Sequence, residues 1–156
     1  MSYKNFCKAI ELSKRCRDYA DGGAKQNACI NKAEELLGIK FSRQNKEYFR
    51  NLGFIEFYGH EVFGIVKDDF SGSYAGCAVE ATLVDRKEYS LPKDWITIYF
   101  FDDGYMGYLD YSQLNENGEP PVIMAFYNGE EYVAAEKMAE DFGDFLLMLV
   151  EEQLNR

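Results

Sequence analysis

The sequence predicts an α+β fold, a mixed, largely antiparallel central sheet flanked by N-terminal helices and a long C-terminal helix. Three observations carry this. Apolar residues recur at helical spacing through the first fifty residues and again at the end of the chain. Between them lie two short segments, 95–101 and 122–127, that are apolar on both faces. Asp-Gly and Asn-Gly pairs punctuate that middle region as hairpin turns do. With 156 residues, 47% apolar and 28% charged, the chain is read as one domain over 1–156.

Residues 3–19 set Tyr3, Phe6, Cys7, Ile10, Cys16 and Tyr19 on a loose helical stripe, with Lys4, Lys8, Lys14, Arg15 and Arg17 around it. Asp21-Gly22-Gly23 breaks that helix. A second helix is expected over 26–37, where Ile30, Ala33 and Leu37 stand at i, i+3 and i+7 and Gly38 supplies the C′ residue. Ser42 is the N-cap of a third, short helix through Tyr48, Phe49 and Leu52, closed by Gly53.

Residues 54–58 and 62–66 read as strands around Gly59-His60-Glu61. Residues 68–76 form a polar loop, and 77–88 favour a helix because Val79 and Leu83 are i and i+4. In 95–101, Ile96, Ile98 and Phe100 alternate with Trp95, Thr97, Tyr99 and Phe101, the pattern of a central strand. Asp102-Asp103-Gly104 turns the chain into a strand at 107–110. Turns at Asn117-Gly118 and Asn128-Gly129 bracket the strand 122–127. The closing helix is expected over 134–154, with Met138, Phe142, Phe145, Leu146, Leu149 and Val150 as its buried stripe.

Seventeen basic residues against 27 acidic ones give a net charge of −10. That balance opposes a nucleic-acid-binding surface, which needs clustered Lys and Arg, and an anionic membrane for the same reason. The charge is unevenly divided: residues 1–50 hold 11 basic and 6 acidic side chains, residues 51–156 hold 6 and 21. The simplest expectation is that the two halves neutralise each other on folding. No apolar run reaches the roughly 18–20 residues that span a bilayer, and no secretory signal is legible, so a cytoplasmic protein is expected. Four cysteines without a C-x-x-C pair, and one histidine, offer no zinc spacing. Buried, reduced cysteines are the expectation.

Catalytic signals are weak. Asp68-Asp69, Asp102-Asp103 and Glu130-Glu131 are carboxylate pairs, but neighbours on a strand diverge and Asp favours turns. A carboxylate- or metal-dependent site would have to use Asp102, Asp103 and Asp110 together. His60-Glu61 resembles a base with its orienting carboxylate only if adjacent side chains converge. The segment Gly72-Ser73-Tyr74-Ala75-Gly76 lacks the lysine of a phosphate loop. The better signal is aromatic: Tyr105, Tyr108, Tyr111, Tyr127 and Tyr132 stand beside acidic residues, and tyrosine suits both a protein-binding surface and a sheet core.

The order of these landmarks resembles the SUKH superfamily, the Smi/Knr cell-wall-regulator and bacterial immunity group. Ala33-Glu34-Glu35-Leu36-Leu37-Gly38 is similar to its A-E-x-x-L-G helix, followed by Tyr48-Phe49 ahead of the first strands. Glu61-Val62-Phe63-Gly64-Ile65 resembles its E-x-x-G strand, and Leu91-Pro92 with Trp95-Ile96-Thr97-Ile98 its central strand. Asp103-Gly104 with Gly107-Tyr108-Leu109-Asp110, then Val133-Ala134 and Phe142-Gly143-Asp144-Phe145-Leu146, complete the series. The resemblance covers about 28–150, with the helix 3–19 as an addition. It departs in the longer spacing from Ala134 to Phe142 and in Phe41-Ser42 where the family has Leu-Pro.

What the resemblance implies is a non-enzymatic protein without cofactors. Bacterial members commonly act as immunity proteins that neutralise a cognate polymorphic toxin, often a nuclease. The expected partner is then a basic protein toxin, with no nucleic acid and no membrane. The expected contacts are Asp68, Asp69, Asp102, Asp103, Tyr105, Glu130 and Glu131, taken for exposure and charge in predicted loops. The alternative is a protein-interaction adaptor of the Smi/Knr regulatory type.

Overall fold

In the computed structural model, which describes residues 2–70 and 76–154, one seven-stranded sheet runs in chain order. Its strands are β1 (Ala20–Asp21), β2 (Ile55–Phe57), β3 (His60–Val62), β4 (Trp95–Phe100), β5 (Met106–Asp110), β6 (Val122–Tyr127) and β7 (Tyr132–Ala139). Every pairing between them is antiparallel, and a parallel component is confined to the bridge Gly64–Cys77. The helices are α1 (Ser2–Ser13), α2 (Asn27–Leu37), α3 (Arg43–Asn51), α4 (Ala78–Tyr89) and α5 (Phe142–Leu154). The expected α+β architecture is the observed one.

The local reasons are visible at the helix ends. Gly38 closes α2 with φ 70° and donates its N–H to Glu34 O. Ser42 caps α3, its Oγ accepting from Asn45 N at 3.2 Å. Gln44 ties this helix start to that of α5: its Oε1 accepts from Gly143 N at 2.8 Å and its Nε2 donates to Asp141 at 3.3 Å. Asp141 in turn caps α5 by accepting from Asp144 N at 2.8 Å. Further along α3, the buried Tyr48 hydroxyl donates to Val62 O at 2.7 Å and accepts from Ile55 N at 3.2 Å, fastening β2 and β3 to the helix.

The sheet has two differently covered faces. A bulge between Thr97 and Tyr99 separates their side chains. One face presents Ile96, Leu109 and Val122 to the main core, with Tyr48, Phe49, Phe142 and Phe145 from α3 and α5. Tyr48 and Phe142 lie 4.7 Å apart by ring centroid, Tyr99 and Phe145 5.4 Å. The other face carries a smaller cluster of Leu91, Tyr108, Ile123 and Ala125, with Trp95, Met106 and Tyr132 against it. Helix α4 covers part of that side. The edge beside β4 pairs through Val62–Tyr99 and Phe63 N–H to Ile98 O at 2.8 Å, and beyond it Thr97 N–H donates to the Thr82 hydroxyl at 2.9 Å.

Three expectations are corrected. The closing helix does not begin at 134: residues 132–139 are β7, paired along all of β6 with two register shifts. Val133 to Met138 include good helix formers, but an unpaired edge on β6 would leave its amides without partners, and Asp141 supplies the true helix start. The first helix ends at Ser13, whose hydroxyl turns back to Ile10 O at 2.8 Å, and residues 20–21 join the sheet beside β2. The hairpin turn after β2 is Tyr58-Gly59, both with positive φ, so His60 and Glu61 belong to β3.

Helix α1 packs on α5 at Gly143, where a Cβ would come within 2.7 Å of Phe6 Cβ and 2.8 Å of its backbone nitrogen. Gly143→Ala is therefore expected to lower stability by about 1–3 kcal/mol in urea denaturation, with amide exchange rising most in α1.

Candidate functional site

Antiparallel order brings the turns Tyr58-Gly59, 101–105 and 128–131 to one end of the sheet. Two of these turns carry five of the expected contact residues, four of them carboxylates. Asp102 and Asp103 are exposed, with Asp103 (φ 55°) and Gly104 (φ 86°) making the reversal. Tyr105 N–H closes the turn by donating to Asp102 O at 2.9 Å. Glu130 and Glu131 are exposed as well, their N–H groups donating to Asn128 Oδ1 at 2.8 and 2.9 Å. Hydrogen-bonded turns thus hold four carboxylates at the same end of the molecule.

Asp68, Asp69 and the ring of Tyr105 separate from these carboxylates. Asp68 and Asp69 are exposed in the segment after Ile65, whose N–H reaches Gly53 O at 2.8 Å. Asp68 stands beside α2, where burial first, and then a hydrogen bond to Asp68, push the Cys29 thiol up to about 11. Tyr105 is half-buried and packs on Phe126 at 5.3 Å, on the sheet face opposite Tyr108 and Tyr127. Tyr111 leaves the sheet to donate to Asn45 Oδ1 at the start of α3.

The carboxylates do not converge for catalysis. Asp110 is buried at the far end of β5 from Asp102 and Asp103, held by Ser112 N at 2.9 Å, Ser112 Oγ and Gln113 Nε2, both at 2.6 Å. Among the described residues no group of three His, Cys, Asp or Glu side chains is placed to hold a metal ion. His60 and Glu61 diverge: His60 meets Tyr99 and Gln153, while Glu61 faces Gly76. Cys16, Cys29 and Cys77 are buried free thiols and Cys7 is an exposed one. Residues 72–75 of the glycine-containing segment lie outside the described residues.

Ion pairs among the described residues include Arg17–Asp18, Lys40–Glu34, Arg43–Glu47 and Lys137–Glu140. Each of these joins partners from the same half of the chain, while across the halves the Arg43 charge favours the ionised form of Glu119.

Between those two hairpins lies a feature read only in part from the sequence. Asp85, Tyr89, Gly104, Met106, Tyr108, Tyr127 and Tyr132 line a cavity of about 310 Å³. Its rings form an arc: Tyr89 to Tyr127 at 5.1 Å, Tyr127 to Tyr132 at 5.3 Å and Tyr132 to Tyr108 at 5.9 Å. Trp95 backs the arc, 5.2 Å from Tyr108. Thr97 donates to Asp85 at 3.2 Å. Desolvation raises the Asp85 carboxyl, and the Thr97 hydrogen bond works against it. Burial, then the nearby Asp85, pushes the Tyr132 hydroxyl up to about 12, so it stays neutral at ordinary pH. Asp85 and Tyr89 escaped the sequence reading, although their i, i+4 spacing puts both on one helix face.

Comparison with known families agrees with the fold. A family model described as SMI1-KNR4 cell-wall matches residues 27–146, from the start of α2 into α5. No curated protein matches the chain. Among the described residues, no helix is long and apolar enough to cross a membrane.

Burial disfavours the ionised form of Asp85, against the Thr97 hydrogen bond, so its folded-state pKa lies above that of the unfolded chain. Its contribution to stability therefore falls as pH rises through that interval and is absent below about pH 4, where both states are protonated. Asp85→Asn is expected to raise the melting temperature at pH 7, with the gain vanishing as pH falls below about 4. Equal gains at both pH values would contradict this placement of the charge.

Proposed function

The chain belongs to the SMI1-KNR4 (SUKH) family, and on that premise we propose that it is a non-catalytic immunity protein. It binds a cognate bacterial toxin of basic character stoichiometrically, in the cytoplasm, and so neutralises it. The observation that carries the reading is the clustering at one end of the sheet. Two hairpins present Asp102, Asp103, Glu130 and Glu131 on either side of a tyrosine-lined cavity. Exposed carboxylates steer a basic partner and favour its docking register, while Tyr supplies contact area at low entropic cost. A nuclease toxin fits this chemistry, because the cations that hold its substrate's phosphates would meet the carboxylates instead. The separation of Asp110 from Asp102 and Asp103 supports binding over carboxylate catalysis.

The test is co-expression with the toxin-like product of the neighbouring gene, followed by purification and binding kinetics. Growth rescue and a one-to-one complex are expected. Replacing Asp102, Glu130 and Glu131 by Lys and Asp103 by Asn, which tolerates its left-handed backbone, should slow association at least about tenfold at low salt and leave the melting temperature unchanged. Asp68→Lys, away from that end, should alter the association rate far less. No complex at micromolar concentration would overturn the reading.

A further inference from the structure

The cavity between the hairpins has a chemistry more specific than a contact patch. Four tyrosines present ring faces and edges to it, and the negative face of an aromatic ring attracts a cation. Among the described residues Asp85 is its one acidic lining residue, and no lysine or arginine lines it. Nor does Asp85 form an ion pair among the described residues. The adjacent Arg86 is turned away, its Nη1 donating to Leu37 O at 2.9 Å and its Nη2 to Lys93 O at 2.7 Å. Among the described residues the carboxylate has the Thr97 hydroxyl as its donor, at 3.2 Å. An anionic occupant would be repelled here, and an apolar one would leave a desolvated carboxylate without a counter-charge.

We propose that this cavity is the receptor for one cationic side chain, an arginine or a lysine, projecting from the surface of the protein partner. The charged head pairs with Asp85 while the stem lies against Tyr89, Tyr127 and Tyr132. The identity of the partner rests on the immunity reading; the cation preference rests on the lining residues alone. The proposal also gives the four hairpin carboxylates a role separate from that of Asp85. They lie in turns on either side of the cavity and guide the basic surface in, whereas Asp85 inside it fixes one side chain.

The experiment is an NMR titration of the full chain, reading the tyrosine ring signals. The probes are N-acetyl-arginine methylamide, N-acetyl-lysine methylamide and the neutral N-acetyl-citrulline methylamide. At least one cationic probe is expected to shift the Tyr89, Tyr127 and Tyr132 rings saturably, with a Kd of about 1–50 mM, and the citrulline compound to leave them unmoved. Which cationic probe binds better identifies the side chain. Asp85→Asn, which keeps the Thr97 contact, should weaken the cation about tenfold or more, and Tyr127→Ala should do so independently. Equal shifts with citrulline, no ring shift at about 100 mM of either cationic probe, or unchanged affinity in both variants would overturn the proposal. A toxin complex whose affinity is untouched by Asp85→Asn would also overturn it while leaving the immunity reading intact. Cation binding without any toxin complex would support the cavity's chemistry and remove the immunity reading.

Discussion

A strand that is apolar on both faces has to be covered on both, and β4 lies at the centre of this sheet with Trp95 and Thr97 on one side and Ile96 and Tyr99 on the other. On the first core face the solution is complete: α1, α3 and α5 seal it, and their Phe and Tyr rings interlock with Tyr99 and Leu109. On the second face α4 reaches only part of the way, because it also fills the place beside β4 that the short β3 vacates. The uncovered part is finished by tyrosines. A tyrosine hides an apolar ring and keeps a polar tip, so it can close a sheet face and still offer a surface to a partner. The fold and the candidate site thus follow from the same unmet demand for cover.

A second constraint sets where the helices begin. The start of α3 and the start of α5 meet in buried polar contacts made by Ser42, Gln44, Glu119 and Asp141. Burying these groups is tolerable because most of their atoms are paired, while one Asn45 amide nitrogen and one Glu119 oxygen are buried without a partner. Burial accordingly raises the Glu119 carboxyl, against hydrogen bonds from Ser42 and Gln44. This junction sets the start of α5 over the main core, at the opposite end of the sheet from the acidic hairpins.

Much of the architecture was legible because its signals are local. The Ser42 cap, the Gly38 stop and the strand 122–127 all stand where their own residues place them. Residues 134–139 were not legible, since their composition favours a helix and only the open edge of β6, distant in sequence, selects a strand. The tyrosines show the same limit at the site. Alternation alone cannot sort Tyr105, Tyr108 and Tyr111, because the bulge at Thr97 and the departure of Tyr111 toward Asn45 are long-range events. Asp102, Asp103, Glu130 and Glu131 were recoverable from turn chemistry. Asp85 was not, since one carboxylate within an ordinary helix carries no sign of the cavity it faces.

The central claim is that a basic partner lands on one end of the second sheet face, guided by hairpin carboxylates and held by tyrosines around Asp85. Hydrogen exchange of the chain, alone and bound to the toxin-like product of the neighbouring gene, tests it most directly. New protection is expected in 102–106, 127–132 and the last turn of α4, with α1 unchanged. Protection concentrated on the basic helices α1 and α2, with both hairpins exchanging as in the free chain, would contradict it.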